Sequence, residues 1–411
     1  MARKIYKLFF TPFALIVIFL VSLSKFFLPI RFGIIPTDRF GHLAANIKIN
    51  SAEKYILEKS SQKKVFDIYC FAGKIGNRTI KNLIKKNCIV LPEIFIDTII
   101  FYLKKFNLNN FIIPHYSYGY DIYGLISKYT DAYKFNNNEK IIGYKSLQKI
   151  NINKFDKIVP FYIRDNLYNK LVFNEEGNYH DYRDTDIKNF QLAAEFLASE
   201  GYKVVRMGRI TKDKIKEKKN IIDYSFSDIK NDFLDIFIPS ESNFFLSANT
   251  GMETISTHLF KKSGVFTNFL PYFNIHFYKW VPYSILLPKK IKRDNKILSL
   301  EEIFTSDIFG FLDTNDYLKK NIEIVDNSPE EILESIKEYI NYQHNKDNFL
   351  KGEDLYIQKS FWKMYSKNFQ ISLKFSKYGN IYYKKENKLD NQITSIMSPY
   401  FLRKNFYSEL I

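Results

Sequence analysis

The segment Phe244-Phe-Leu-Ser-Ala-Asn-Thr-Gly-Met252 runs from apolar residues into small polar ones and then into a helical pattern. Ser247, Asn249, Thr250 and Gly251 are therefore expected at a helix amino terminus, where free N–H groups and the helix dipole suit a phosphate or pyrophosphate. An ordinary N-cap at Asn249 or Thr250 would leave the same pattern. Neither GxxxxGK[ST] nor GxGxxG occurs in the chain. Arg164-Asp165, His180-Asp-Tyr-Arg-Asp-Thr-Asp186 and the pair Arg206 and Arg209 stand at the ends of apolar runs or at the entry to a helix. Arginine forks match phosphate oxygens bidentately, so Arg164, Arg183 and Arg206 on one rim would neutralise a diphosphate leaving group without a metal. Taken singly, each is better explained by a surface charge or a salt bridge. Asp184-Thr-Asp186 has the DxD spacing of a metal site, but it directly precedes a helix. Capping by Asp184 or Thr185 is the expectation, and no metal is implied.

A further loop, Thr37-Asp-Arg-Phe-Gly-His42, follows an apolar run and enters a helix. The near-neutral titration of histidine suits His42 to act as a general base on a hydroxyl, with Asp38 the other candidate. A capping or solvent-exposed role would explain His42 by residue type alone. His115, His258, His276 and His344 show no ligand spacing and are read as structural. No GxSxG elbow is present. Two cysteines, Cys70 and Cys88, supply neither a disulfide framework nor a structural zinc site.

The elements that must position these residues alternate. Phe32–Pro36, Val65–Phe71, Cys88–Leu91 and Phe111–Pro114 read as strands, with helices from about Gly41 and over 77–86 and 93–106. That series predicts a parallel sheet covered by helices. The asparagine-rich stretch Phe135–Lys140 reads as a loop near a domain junction. The series restarts with strands at 158–163, 203–207, 221–222, 244–247 and 264–267 and helices at 186–200 and 228–239, a further helix opening at Thr250-Gly251. Ser328-Pro-Glu-Glu331 is a helix start with a capping box. Beyond Leu350 the pattern weakens to mixed aromatic and basic residues. The expected architecture is α/β: an N-terminal Rossmann-like domain over 31–150, a second over 151–345, a cleft between them, and a helical extension over 346–411 packing back on both. Ligands in such sheets bind beyond the carboxyl ends of the strands.

Composition sets the outer bounds. Across 411 residues, 46% are apolar and 26% charged, which excludes wholesale disorder and a polytopic membrane protein. The net charge of +17 admits nucleic acid, anionic lipid or phosphate-bearing substrates as partners. The chain is also crowded with Lys, Ile, Asn, Phe and Tyr, as AT-rich coding produces, so most of that charge is read as spread over the surface. Residues 1–30 are read as a membrane-associating segment. Arg3, Lys4 and Lys7 precede an apolar run from Leu8 to Ser24 that spans about 25 Å as a helix, short of a hydrocarbon core of roughly 30 Å. A signal peptide, a single span extended past a snorkelling Lys25, and an anchor lying in one leaflet all fit.

Taken together, Arg39-Phe-Gly-His-Leu-Ala44, His180-Asp-Tyr-Arg-Asp184, Val205-Arg-Met-Gly208, Asp232-Phe-Leu-Asp235 and Phe245-Leu-Ser-Ala-Asn-Thr-Gly251 resemble, in this order, the motifs of a little-characterised bacterial family assigned to the GT-B glycosyltransferases. The resemblance covers the chain from about residue 3 to beyond 340. More distantly, the Ser247–Gly251 loop is similar to the donor loop of heptosyltransferases, and the strand ending in Arg164 to that of fucosyltransferase-like enzymes. Phe40 departs from the family's small aliphatic residue. The resemblance implies a GT-B-like fold with a nucleotide-sugar donor in the second domain and a glycan or glycolipid acceptor in the first. It also implies no separate cofactor, and an enzyme at the cytoplasmic face of the bacterial inner membrane. A GT-B-type sugar-nucleotide epimerase and a non-catalytic basic binder of lipid or nucleic acid are the alternatives. The membrane segment speaks against the first. Scattered lysines and the absence of any nucleic-acid-binding motif speak against the second.

Overall fold

The computed structural model describes residues 2–24, 27–114, 121, 124–173, 179–346, 348–375 and 393–411; His115 and Lys25 lie outside the described residues. The chain forms two compact units, Met1–Lys134 with Thr254–Lys261, and Phe135–Glu253 with Lys262–Ile411. The boundary thus falls at Lys134 and Phe135, ahead of the expected 150. The asparagine-rich stretch is no loop: Asn136 and Glu139 form a capping box that starts the helix Asn137–Leu147. That helix belongs to the second unit because Tyr144 packs edge-on against Phe237, 5.3 Å between ring centres, and donates to Glu241 at 2.6 Å.

In the first unit, β1 (Ile30–Pro36), β2 (Phe66–Ala72) and β3 (Ile89–Val90) pair in parallel in that spatial order. The helices α2 (Phe40–Ser61) and α3 (Arg78–Asn87) connect them, and α4 (Glu93–Lys105) follows β3. The strand expected at Phe111–Pro114 is a 3-10 turn, Asn109–Phe111, followed by a single parallel bridge from Ile112 to Phe32. Ile112 thus returns to the free edge of β1, and Pro114, which has no N–H to donate, follows two residues later. An ion pair is built into the β1–β2 ladder. Arg31 and Asp67 stand opposite each other, both buried, and the guanidinium grips the carboxylate with two bonds of 2.8 Å. Arg31 therefore serves this pair and is not a flanking charge of the amino-terminal segment.

Before β1 comes α1 (Ala2–Ser24), with Pro12 inside it. Ala14, Ile18 and Val21 pack into a core with Ile96, Ile99, Ile100 and Leu103 of α4, Phe32 of β1 and Cys70 of β2. Among the described residues no helix is long and apolar enough to cross a membrane.

The second unit holds a seven-stranded, wholly parallel sheet. Its strands are β4 (Lys157–Ile163), β5 (Tyr202–Met207), β6 (Ile221–Asp223), β7 (Phe245–Ala248), β8 (Gly264–Phe269), β9 (Ile285–Pro288) and β13 (Ile396–Met397), the numbers between belonging to a small antiparallel sheet of β10 (Lys290–Arg293), β11 (Lys296–Ile297) and β12 (Glu323–Val325). The spatial order is β13-β9-β8-β7-β4-β5-β6. Strands covered on both faces read as unbroken apolar runs, which is how Ile158–Ile163 reads; Gly264–Phe269 is likewise buried throughout, with Thr267 and Asn268 among its residues. Pro160 is tolerated in a central strand because the β7 ladder begins only at Phe161. At Gly264 a Cβ would come within 2.3 Å of the Phe245 carbonyl oxygen, so only glycine lets β7 and β8 pair there. The weakly patterned carboxyl end supplies β13 as well as the helices Gly352–Phe375 and Pro399–Leu410. The predicted helix at 228–239 begins only at Leu234, because the Asn231 side chain accepts from the N–H groups of Phe233 and Leu234 and ends a turn there.

The chain winds from β4 outward through β5 to β6, then returns to the other side of β4 as β7 and proceeds through β8 to β9. The winding reverses between β4 and β7, and a crevice opens at the carboxyl ends of two parallel strands whose crossovers depart in opposite directions.

Removing the carboxylate of the Arg31–Asp67 pair leaves a buried, unpaired guanidinium. Asp67→Ala should cost about 3–5 kcal/mol of stability, read as a lowered urea midpoint. An effect below about 1 kcal/mol would mean that water reaches Arg31.

Candidate functional site

Arg164 directly follows β4, and Asn249 directly follows β7. The HDYR motif supplies the link between them. Asp181–Arg183 form a 3-10 turn, fixed by Asn166 donating to Asp181 at 3.0 Å and by the Tyr182 N–H donating to Thr314 at 3.1 Å. From this turn Arg183 reaches the end of β7, donating to the Asn249 carbonyl oxygen at 2.8 Å and to its side-chain oxygen at 3.3 Å. The next residue, Asp184, lies 3.3 Å from the Arg164 guanidinium, and the Thr185 N–H donates to the Arg164 carbonyl at 3.2 Å. Arg164, Arg183 and Asn249 are thus brought together at the switch point.

The expected capping role of Asp184 or Thr185 is overturned. Asp186 is the cap, accepting from the Lys188 N–H at 2.9 Å, because Asp184 is drawn to Arg164 and the Thr185 hydroxyl donates to Asp326 at 2.7 Å. Burial pushes the Asp184 carboxyl up to about 6, although Arg164 and Lys289 pull it down. Among the described residues, no group of three His, Cys, Asp or Glu side chains could hold a metal ion.

The loop after β7 also departs from expectation. Asn249 takes a left-handed backbone, φ 54°, and its amide donates to the Leu270 carbonyl, while Asn274 donates to its side-chain oxygen at 3.2 Å. No helix opens at Thr250-Gly251. The chain turns there, with the Thr250 hydroxyl accepting the Met252 N–H at 3.1 Å, and the helix proper is the short π-type turn Ile255–Leu259. Ser247 is fully buried within β7 and donates to Glu253. Tyr278 donates to the other oxygen of the same carboxyl. Burial raises the Glu253 pKa to about 7, against the pull of these two hydroxyls and of Arg183.

Lys289, directly after β9, is 2% exposed and pairs with Asp326 at 2.8 Å while donating to the Asp184 carbonyl. Burial lowers its pKa and Asp326 opposes that shift. Between β9 and β7, Asn268 at the end of β8 exchanges two backbone-to-side-chain bonds with Asn327, at 2.7 and 2.6 Å. Glu253, Lys289, Asp326 and the Asn268–Asn327 pair were not singled out from sequence. The one available signal was Lys289, a cation immediately after an apolar run, in the position that Arg164 occupies after β4.

Arg206 is placed differently. It is 1% exposed at the end of β5, within 3.3 Å of Asp223 and donating to Thr211 at 2.6 Å and to Ser225. Its guanidinium serves an internal network that ties β5 to β6, and Arg209 lies part-exposed, 3.7 Å from Asp232.

Asp38 and His42 belong to the first unit. Asp38 is exposed in the loop after β1, and His42 is part-buried in the first turn of α2. The loop is clamped to the one after β2: the Thr37 hydroxyl donates to the Ala72 carbonyl at 2.8 Å, and the Gly76 N–H to the Thr37 carbonyl at 2.7 Å. A Cβ on Gly76 would stand 3.0 Å from that carbonyl and 3.1 Å from the Asp38 carbonyl oxygen, so a side chain there would push the two loops apart by a few tenths of an ångström. Of the other described histidines, His258 and His276 sit in packed surroundings, and His344 is exposed. His258 is part-buried beside Thr257 at 2.7 Å, its pKa lowered by desolvation to about 4, and His276 is buried against Tyr365. His344 closes the last turn of the helix Pro329–His344.

No protein-family model matches the chain, and no curated protein matches it. Among solved structures it is similar to a glycosyl transferase family 9 protein from Veillonella parvula DSM 2008, at 9% identity and a TM-score of 0.43, over 76% of this chain and 97% of that one. A likeness at that score is too loose to bear on function.

A carboxyl whose pKa stands higher in the folded than in the unfolded chain holds its proton more tightly when folded. Glu253 should therefore lower stability as pH rises from about 4.5 towards about 7. Glu253→Gln removes that loss, so its stability relative to wild type should improve by on the order of 2–3 kcal/mol between pH 5 and 8, read from urea midpoints. A difference independent of pH would place the Glu253 titration elsewhere.

Proposed function

We propose that the second unit binds a nucleotide sugar. On this reading the chain is a GT-B-type glycosyltransferase that moves the sugar to a hydroxyl of a surface polysaccharide or lipid-linked glycan. The observation that carries it is the convergence of Arg164 and Arg183 on the carboxyl ends of β4 and β7, where the winding of a parallel sheet reverses. Nucleotides bind α/β sheets at such switch points. In the reaction, an acceptor oxygen attacks the anomeric carbon, the bond from that carbon to the diphosphate oxygen breaks, and negative charge builds on the leaving diphosphate. Two guanidinium groups held in place by Asp184 and Asn249 stabilise that charge without reorganising, and no metal is needed in this scheme. Thr250 and Gly251 line the turn beside Asn249 and are the backbone contacts we assign to the same diphosphate. Ser247 supports the turn through Glu253. His42 or Asp38 takes the proton from the acceptor if the configuration inverts.

Isothermal titration of the full chain with UDP, GDP, CDP and ADP tests the donor site. Arg164→Ala or Arg183→Ala should lower affinity for the bound nucleotide by about one to two decades, the loss of a charge-assisted contact of about 1.5–3 kcal/mol. Arg206→Ala should instead lower the unfolding midpoint, because its partners lie within the fold. Affinity unmoved by either site variant would overturn the assignment, as would a panel in which nothing binds.

Turnover with a matched donor and acceptor should survive EDTA. His42→Ala should spare nucleotide affinity and cost about two to four decades in kcat if the imidazole is the base; if kcat is unmoved, the same assay on Asp38→Asn decides for the carboxylate. Conversion of the donor's sugar without an acceptor would point to an epimerase.

A further inference from the structure

The amino-terminal helix has two apolar faces, and only one is covered. Ala14, Ile18 and Val21 are docked on α4 and continuous with the core of the first unit. On the far side Phe9, Phe13, Ile16, Leu20 and Leu23 follow a spacing of four, three, four and three residues, all between 51% and 76% exposed. That spacing is one continuous helical stripe. Phe27, 85% exposed, extends it past the helix end. The neighbouring surface of α4 continues the patch. Tyr102, hydrogen-bonded to Thr11 at 2.9 Å, has the exposed Phe101 and Phe106 rings around it, and Lys105 lies 5.9 Å from its ring centre. The exposed Lys104 stands beside it in the last turn. Residues 1–37 contain no Asp or Glu but five cationic side chains: Arg3, Lys4, Lys7, Lys25 and Arg31. Arg31 is used inside the fold, which leaves four.

We infer that α1 lies in the plane of a membrane. Its Phe9–Leu23 stripe is sunk into one leaflet of an anionic bilayer, and its Ala14–Val21 face stays docked on α4. Two features select lipid over a second copy of the chain. An amino-terminal segment that is basic and free of acidic residues, together with Lys104 and Lys105 at the end of α4, complements anionic headgroups. Stacking two such stripes would set those cations against one another. The docked face selects the in-plane orientation. A helix crossing the bilayer with α4 attached would carry Glu93, Asp97, Lys104 and Lys105 into hydrocarbon, and each such charge is expensive there.

Co-sedimentation of the purified full chain with vesicles tests this, comparing pure phosphatidylcholine with phosphatidylcholine containing phosphatidylglycerol. Binding should require the anionic lipid. I16S/L20S/L23S, which leaves the docked face and the Phe13–Phe95 ring contact intact, should abolish it while the unfolding midpoint stays near wild type. Should that variant fold poorly, K104Q/K105Q provides the second reading. It should weaken binding to anionic vesicles by about thirtyfold, since each of the two lysines near such a surface contributes about 1 kcal/mol. Vesicle binding unaffected by either variant would overturn the inference, and so would a wild-type dimer that ignores vesicles and dissociates in the serine variant. In sealed inverted membranes from producing cells, added protease should remove an epitope tag placed before Met1. Protection of the tag while the rest is digested would mean that the helix crosses the bilayer.

Discussion

Arg183 donating to the backbone of Asn249 is the contact on which the arrangement of the second unit's rim depends. The two residues come from loops that the winding of the sheet sends in opposite directions. Nothing in the strands themselves holds those loops together. One charge-assisted bond closes the gap, and Asp184, next in the chain, is thereby delivered to Arg164. A single guanidinium nitrogen of Arg183, Nη2, donates to both acceptors on Asn249, and the left-handed turn at Asn249 aims both of them back at it.

Around this contact, charge is buried in a nearly balanced set. Lys289 pairs with Asp326, Arg164 with Asp184, and Arg183 faces Glu253, whose carboxyl is pushed up to about 7. Such sets are costly unless satisfied, and here hydroxyls from Ser247, Tyr278 and Thr185 supply the missing donors. Arg206 and Asp223 use the same chemistry for another end: two side chains sealed in the interior to join β5 and β6.

The first unit solves a different problem. Its three-stranded sheet is small, and α1 thickens its core through α4 without being consumed by it. A helix that is apolar all round is normally enclosed on every side. Here one face is enclosed by protein, while the stripe opposite carries Phe9, Phe13, Ile16, Leu20 and Leu23 outward.

Much of this was written in the sequence. Unbroken apolar runs such as Ile158–Ile163, separated by helical spacing, specify parallel strands with both faces covered, and a local signal such as the Ser328–Glu331 capping box fixes a helix start without help from the rest of the chain. Position after a strand also marked Arg164 and Asn249 as rim residues. Pairing was not legible. Asp184 and Arg206 each sit where a carboxylate before a helix or an arginine after a strand is ambiguous. Their partners, Arg164 for the one and Asp223 for the other, are 20 and 17 residues away in sequence. Lys289 looked like one cation in a basic run until β9 ended beside Asp326. Strand order, and with it the point where the winding reverses, was likewise decided only in three dimensions. Periodicity reports which faces of an element are covered, whereas the neighbour that covers them is chosen by contacts between distant segments.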